Sequence, residues 1–365
     1  MSVRYTVIRL SAKHKRCKKG FYMLDDLKLI HERDPQDALG IAERQWQQLE
    51  HEFDIQQPPV DVTNIVYAAM GGSALAALIS SSWPGYSIPF EIVRNYDIPS
   101  YVSEKTYFIA ASYSGNTEET LSALAQAEAK GAQIAVIASG GKLVEIAQKR
   151  GYPLVLIPKA EQPRYAVLYN LKGLVVLLEK AGLLATGEAE AQLHQAAAKL
   201  RDTLQTWLPT VPTKDNLAKQ IAQELLGKSV VMYAGPKLWS TAYKWKISFN
   251  ENGKHVAWWN QYPEFNHNEF IGWTRQPEQK PYAVIDLRSN LEHPRIQKRF
   301  EVSEKLLSGL RPAPIIVQAT GETLLEQLVT TITLGDFVSI YLALLDNVNP
   351  VPVDLIERFK KELDL

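Results

Sequence analysis

The run Asn64-Ile-Val-Tyr-Ala-Ala-Met70 is almost entirely apolar, and Gly71-Gly72-Ser73 and a helix-forming segment, residues 74–80, follow it directly. A buried strand, a tight turn and a helix account for this order. The alternation continues, with strands predicted over residues 90–93, 106–112, 133–138 and 153–157 and helices over 117–130, 141–150, 165–181 and 187–207. Strands that alternate with helices are typical of an α/β fold with a parallel sheet covered on both faces.

A second copy of this pattern begins after the break at Pro209–Pro212. Ser229-Val-Val-Met-Tyr-Ala-Gly235 resembles residues 64–71, and a helix is again predicted after it, over residues 236–250. Further strands are predicted over 282–287 and 314–319, with helices over 293–307, 322–345 and 353–363. The sequence therefore predicts two doubly wound domains related by internal duplication: 23–208, which opens with one or two amphipathic helices over 23–55, and 213–365, which closes with a terminal helix.

Charge and composition exclude several classes of protein. The 40 basic and 40 acidic residues balance, which does not favour a nucleic-acid-binding protein. The lone cysteine, Cys17, favours a reducing compartment, and we expect a cytoplasmic protein. No apolar run reaches the roughly 18 residues of a membrane span. Residues 1–22 carry seven basic and no acidic side chains; we expect a disordered leader, with Met23 as the true start, although a transit peptide or a basic arm is also compatible with this charge.

The segment Ser112-Tyr-Ser-Gly-Asn-Thr-Glu-Glu-Thr120 runs from the end of a predicted strand into a predicted helix. Exposed N–H groups and the helix dipole make such a junction an anion site. The hydroxyls of Ser112, Ser114 and Thr117 add donors. The segment lacks the lysine and the spacing of nucleotide-binding loops, which favours a phosphate monoester. The alternative is a simple helix N-cap by Asn116.

These motifs together resemble a known family. Met70-Gly-Gly-Ser73, the segment 112–120, Asn250-Glu-Asn252 and Pro263-Glu-Phe-Asn-His-Asn-Glu269 are similar to those of the sugar isomerase (SIS) superfamily, with its flavodoxin-like domains. Within it they resemble the bifunctional phosphoglucose/phosphomannose isomerases. The resemblance implies phosphate binding by five residues: Gly72, Ser73, Ser112, Ser114 and Thr117.

The resemblance also implies the catalytic residues. Glu251 would transfer the proton, His267 would open the sugar ring from the neighbouring subunit, Arg164 would stabilise the enediolate, and Lys360 would assist ring opening. From the residues alone, Glu251 could be a solvated helix-end glutamate and Arg164 a surface arginine, and the neighbouring Lys361 is an alternative to Lys360. Metal binding around His267 is disfavoured, because the spacing matches no H-E-x-x-H motif.

The family further implies a homodimer that interconverts glucose 6-phosphate, and mannose 6-phosphate, with fructose 6-phosphate in glycolysis and gluconeogenesis. The resemblance implies a reaction that needs no metal and no cofactor, and a protein that binds neither nucleic acid nor a membrane. The hydroxyl residue that the family associates with mannose activity has no clear counterpart in Asn349-Pro-Val-Pro-Val-Asp354. The alternative to an isomerase is a non-catalytic regulator that binds a sugar phosphate through the same segment. An aminosugar synthase is disfavoured, because no glutaminase domain fits before residue 60.

Overall fold

A computed structural model describes residues 23–275 and 282–363. The predicted basic leader, 1–22, lies outside these residues. Contacts divide the described chain into two compact units. The N-terminal unit comprises residues 41–203 and 321–330. The C-terminal unit comprises the described parts of 1–40, 204–320 and 331–365.

The N-terminal unit is built on a five-stranded parallel sheet of order β2-β1-β3-β4-β5. Its strands are β1 (Asn64–Ala68), β2 (Phe90–Val93), β3 (Thr106–Ser112), β4 (Gln133–Ala138) and β5 (Leu154–Leu156). Its helices are α2 (Ala38–Glu43, divided equally between the two units), α3 (Trp46–Glu50), α4 (Gly71–Ser80), α5 (Glu118–Ala129), α6 (Gly141–Arg150), α7 (Val167–Lys180) and α8 (Glu188–Leu204). Val66, Phe108 and Val136 anchor a core beneath the helices. This strand order is that of a doubly wound, flavodoxin-like sheet, as predicted.

The C-terminal unit contains a four-stranded parallel sheet of order β7-β6-β8-β9. Its strands are β6 (Ser229–Ala234), β7 (Ala257–Gln261), β8 (Tyr282–Arg288) and β9 (Ile315–Gln318). Its helices are α1 (Leu27–Arg33), α9 (Leu217–Leu225), α10 (Trp239–Glu251), α11 (Glu269–Gly272), α12 (Pro294–Leu306), α13 (Leu324–Leu345, shared with the N-terminal unit) and α14 (Asp354–Leu363). In each sheet the first strand lies between the second and the third, which agrees with the predicted duplication.

The leading segment differs from the one or two helices predicted over 23–55. It forms a 3₁₀ turn (Met23–Asp25) and the short helices α1 to α3. The break after α1 arises at Asp34, whose carboxylate accepts hydrogen bonds from the backbone N–H groups of Ala38 and Leu39 at 2.8 and 2.9 Å. A side chain that bonds the backbone ahead of it competes with continuation of the helix.

Residues 23–40 also belong to the C-terminal unit, whereas the sequence analysis assigned them to the first domain. Asp25 accepts hydrogen bonds from the backbone N–H and the hydroxyl of Thr213, both at 2.8 Å, and pairs with Lys219 at 3.2 Å. Arg33 donates to the carbonyl of Leu344 at 2.6 Å. Helical periodicity identifies an apolar face but does not identify the core against which that face packs.

The apolar helix α13 bears on the expectation that no apolar run is as long as a membrane span. Among the described residues it is the one helix long and apolar enough to cross a membrane, and its most apolar 18-residue stretch has a mean hydropathy of 1.8. The whole of that stretch is buried inside the protein. This burial identifies α13 as a core helix.

Replacement of Asp25 tests the attachment of the leading segment. Burial acts to raise the pKa of Asp25, but the Thr213 and Lys219 hydrogen bonds outweigh it, so the pKa lies below the ordinary value of 3.8. Because the folded pKa is depressed, the stabilisation is present above 3.8 and is lost as pH falls through the folded value. Since Asp25 is partly exposed, we expect Asp25→Asn to cost about 1 kcal/mol of unfolding free energy at neutral pH. Urea titrations should show the deficit shrinking in acid, whereas a deficit independent of pH would contradict this account.

Candidate active site

The predicted phosphate-binding residues lie at one edge of the first sheet. Strands β1 and β3 are parallel neighbours, with Ala68 opposite Ala110. Helix α4 begins at Gly71, just after β1, and α5 begins at Glu118, just after β3. Two helix N-termini therefore lie side by side at the carboxyl ends of adjacent strands, where doubly wound sheets bind their ligands.

Three hydroxyls at this edge form a connected group, here called the hydroxyl cluster. The Ser112 Oγ lies 2.7 Å from the Thr117 Oγ1 and 3.4 Å from the Ser114 Oγ. The backbone N–H of Gly115 donates to the Ser112 Oγ at 3.2 Å. From the α4 side, the Ser73 Oγ accepts from the backbone N–H of Tyr113 at 2.8 Å. Ser73 is thereby tied to the turn that carries the cluster.

The Asn116 side chain does not cap helix α5, contrary to the alternative considered above. Its Oδ1 accepts instead from the backbone N–H of Lys142 at 3.0 Å, which links the turn to α6. Thr117 occupies the N-cap position, but its side chain makes no capping bond to the helix. The first N–H groups of α5, together with the hydroxyl cluster, can therefore serve an anionic ligand.

Two glycines allow close backbone contacts around the hydroxyl cluster. Gly115 has a φ of +71°, and a Cβ there would lie 1.8 Å from the Gly140 carbonyl oxygen. Only glycine fits that combination of conformation and contact. A Cβ on Gly72 would lie 3.2 Å from the Pro163 carbonyl carbon. The turn that contains Arg164 therefore packs directly on the N-terminus of α4.

Arg164 is buried, contrary to the surface reading, and lies within the 3₁₀ turn Pro163–Tyr165. Its guanidinium carbon is 4.7 Å from the ring centroid of Tyr165, a distance that allows a cation–π contact. Its backbone nitrogen is 3.3 Å from the position of a Gly72 Cβ. The structure thus brings Arg164 into the neighbourhood of Gly72 and Ser73.

Glu251 is the last residue of α10 and is half-buried. The asparagines on either side of it are fixed. The Asn250 amide donates to the His255 carbonyl at 2.7 Å, and the fully buried Asn252 amide donates to the Ser339 hydroxyl at 2.9 Å. Lys254 donates to the backbone carbonyl of Glu251 at 2.6 Å. The backbone around the Glu251 carboxylate is therefore held from both sides.

His267 ends the 3₁₀ turn Glu264–His267 and is exposed in the single chain. The segment that carries it is anchored on either side. The Asn266 amide donates to the Ser303 hydroxyl at 3.0 Å, and Glu269 accepts from the Tyr233 hydroxyl and from the Asn260 amide. Burial, reinforced by the charge of Glu269, raises the pKa of Tyr233, which keeps its hydroxyl protonated as a donor.

Lys360 lies on α14, where its ammonium pairs with Glu357 at 2.9 Å. Both side chains are largely exposed. Lys361 is exposed as well. Within the described single chain, neither lysine is brought to a defined pocket, so the assignment of Lys360 stays a prediction.

Sequence reasoning missed two supports of the turn that carries the hydroxyl cluster. The Tyr113 hydroxyl donates to the Ala160 carbonyl at 2.9 Å, and the Ser139 hydroxyl donates to the Tyr113 carbonyl at 2.7 Å. The sequence does contain a signal for the role of Ser139. Ser139-Gly-Gly141 follows β4 as Gly71-Gly72-Ser73 follows β1, so a pair of glycines and a serine stand after each of these two strands.

One group of metal-type ligands occurs among the described residues, formed by Glu52, Glu190 and His194. The buried ammonium of Lys172 lies 2.6 Å from Glu190 and 3.1 Å from His194. A lysine thus already supplies positive charge to this group, and the geometry does not favour a metal there.

Known proteins share this fold and parts of this sequence. Residues 214–363 match the family described as "Bacterial phospho-glucose isomerase C-terminal SIS domain". A crystal structure of a glucose-6-phosphate isomerase like protein from Thermus thermophilus superposes with a TM-score of 0.65 at 18% identity, covering 93% of this chain and 98% of that one. The fold and the hydroxyl-lined turn define a protein of the sugar isomerase (SIS) class.

The curated relatives narrow this class. A bifunctional phosphoglucose/phosphomannose isomerase from Caldicellulosiruptor bescii is 35% identical over 83% of this chain and 90% of its own length. A D-glucosamine-6-phosphate 4-epimerase from Sulfolobus acidocaldarius is 35% identical over 58% of this chain and 64% of its own length. The chain belongs to the bifunctional phosphoglucose/phosphomannose isomerase family, as the sequence motifs predicted.

Proposed function

We propose that this protein is an aldose–ketose isomerase that interconverts glucose 6-phosphate, and also mannose 6-phosphate, with fructose 6-phosphate. The observation that carries the proposal is the hydroxyl cluster of Ser112, Ser114 and Thr117 beside the N-termini of α4 and α5. Such a site offers neutral donors and helix dipoles to a monoester dianion. The family relationship supplies the reaction that this anchor would serve.

In this proposal the site residues divide into phosphate ligands and groups that act on the sugar carbons and oxygens. Gly72 and Ser73 join the hydroxyl cluster as phosphate ligands. Glu251 moves a proton between C2 and C1 of the open chain, while Arg164 holds the negative charge of the enediolate. Lys360 and His267 open the ring.

We further propose a homodimer that works in the cytoplasm in glycolysis and gluconeogenesis. The exposure of His267 in the single chain supports its assignment to the site of a neighbouring subunit. In that arrangement a strictly monomeric preparation would be inactive, and sedimentation equilibrium run beside the activity assay tests this.

The direct test is a coupled assay with glucose 6-phosphate and mannose 6-phosphate, each supplied separately in the presence of EDTA. We expect formation of fructose 6-phosphate from both. Glucosamine 6-phosphate is included because one relative is an epimerase of that sugar, and its C4 epimer is monitored by NMR. Binding of fructose 6-phosphate without turnover of either aldose would favour the non-catalytic regulator and overturn the proposal.

A further inference from the structure

Helix α10, which ends at Glu251, presents a polar face to the interior. Lys244 and Ser248 on the helix and Asn252, its C-cap residue, are spaced four residues apart. Residues at this spacing lie above one another on a helix. All three are fully buried. A buried polar face is costly unless each group finds a partner, so the partners of these three side chains indicate what the face does.

The partners lie on α13, within the same unit. The Lys244 ammonium is 2.5 Å from the Asp336 carboxylate and 2.7 Å from the Ser248 hydroxyl. The Ser248 hydroxyl donates to the same carboxylate oxygen at 2.7 Å. Asp336, like its partners, is fully buried. We call Lys244, Ser248 and Asp336 the ionic clamp.

A second connection lies one turn further along α10. The Asn252 amide donates to the Ser339 hydroxyl at 2.9 Å, and that hydroxyl donates to the backbone carbonyl of Asp336 at 3.0 Å. The clamp and this connection therefore share one stretch of α13. Together they join α13 to Ser248, one turn before Glu251, and to Asn252, directly after it.

Such a network costs more than an apolar contact would. A buried ion pair contributes little net stability, because removing both charges from water offsets their attraction, and apolar replacements of similar volume are often as stable. Apolar residues on α10, among them Trp245 and Phe249, already bury its sides. Hydrogen bonds add direction, which fixes the rotation and the axial position of the helix. The side chain whose direction this determines is Glu251.

We propose that the ionic clamp and the Asn252–Ser339 hydrogen bond position Glu251 for proton transfer. The inference rests on the proposed function of Glu251. Lys244, Ser248 and Asp336 are positioning residues, since they act through the helix and not on the sugar. The clamp fixes the end of α10 so that the carboxylate does not have to be oriented in each turnover.

The test replaces the clamp without leaving a buried charge unpaired. We expect Lys244→Met/Asp336→Leu to fold and to keep the affinity for fructose 6-phosphate, while kcat falls by about 10- to 100-fold, the cost of a displacement of about 1 Å. Exchange of the C2 proton with solvent should fall in parallel. The neutral pair Lys244→Gln/Asp336→Asn, which can still form hydrogen bonds, should recover much of kcat at the same affinity.

The chain offers a matched control in the same unit. Lys219 is also a fully buried lysine paired with an aspartate, Asp25, but it lies on α9 and not on α10. Lys219→Met/Asp25→Leu should leave kcat unchanged. Ser339→Ala removes the hydroxyl that accepts from Asn252 and donates to the Asp336 carbonyl, but it leaves the ion pair in place. It should lower kcat several-fold with a smaller change in urea stability, even if the larger substitution prevents folding.

Wild-type levels of kcat in Ser339→Ala and in every folded clamp variant would overturn the inference. An equal fall in kcat for the control pair would also overturn it, because the effect would then be one of general stability. Failure of the proposed function itself is distinguishable, because wild-type protein would then isomerise neither aldose phosphate and Glu251→Gln would have no activity to lose.

Discussion

Glu251→Gln should reduce kcat for isomerisation by about 10²- to 10⁴-fold, the range that general acid–base catalysis contributes. The change keeps the size and hydrogen-bonding capacity of the side chain but removes its ability to accept a proton. Affinity for fructose 6-phosphate should stay within a few-fold of the wild-type value, because the proposed phosphate anchor belongs to the N-terminal unit. Measuring kcat in the coupled assay and affinity by calorimetry separates these two effects.

Anomer exchange gives a second readout of the same variant. If ring opening belongs to His267 and Lys360, Glu251→Gln should still interconvert the α and β anomers of glucose 6-phosphate while it no longer exchanges the C2 proton with solvent. Magnetisation-transfer NMR measures the first rate, and deuterium incorporation measures the second. A variant that loses both rates equally would contradict the division of labour between these residues.

Glu224→Gln is a matched control, since Glu224 also lies in the last turn of a helix in the C-terminal unit, where it faces Lys228 on the surface at 3.9 Å. It should keep wild-type kcat. Near-normal kcat in Glu251→Gln itself would mean that the proton-transferring base lies elsewhere.

The central strands of both sheets could be predicted from sequence because they are continuous apolar runs. Strands β3 and β4 have the predicted bounds. Strand β7 was not predicted, because at the sheet edge it reads Ala-Trp-Trp-Asn-Gln and its Trp258 is exposed. Helix α9 was also missed, although Leu217, Ile221 and Leu225 follow helical spacing and Asn216 caps its start by accepting from the Lys219 N–H.

The proximity of Ser73 to the hydroxyl cluster could be predicted for a geometric reason. Carboxyl ends of adjacent parallel strands converge, so Ser73 and Ser112 had to approach each other once β1 and β3 were paired. The ionic clamp could not be predicted in this way. Lys244 and Asp336 are 92 residues apart, and nothing local in either helix indicates that their charged side chains are buried. Long-range packing decides such pairs, and periodicity does not report it.

Because Arg164 is buried beside the start of α4, we expect its replacement to have the second large effect on kcat. Arg164→Met should lower kcat by about 10²- to 10³-fold, comparable to the loss of one oxyanion-stabilising group. Arg164→Lys should lose less, because it keeps the charge but not the planar fork of donors. Affinity for a stable anionic analogue of the enediolate should fall in proportion to kcat, while affinity for fructose 6-phosphate falls much less.

A competing role for Arg164 follows from its contact with the start of α4, since an arginine beside Gly72 and Ser73 could bind the phosphate instead. The two roles predict opposite patterns. Loss of enediolate stabilisation lowers kcat and leaves substrate affinity nearly unchanged. Loss of a phosphate ligand instead weakens the binding of both aldose and ketose phosphates, with little change in kcat. Arg201→Met is the control, because Arg201 also lies over an aromatic ring, that of Trp46, but on the exposed surface of α8. We expect the first pattern for Arg164 and neither pattern for Arg201, because only a guanidinium that gains contacts as charge develops on the sugar oxygens accelerates the chemical step.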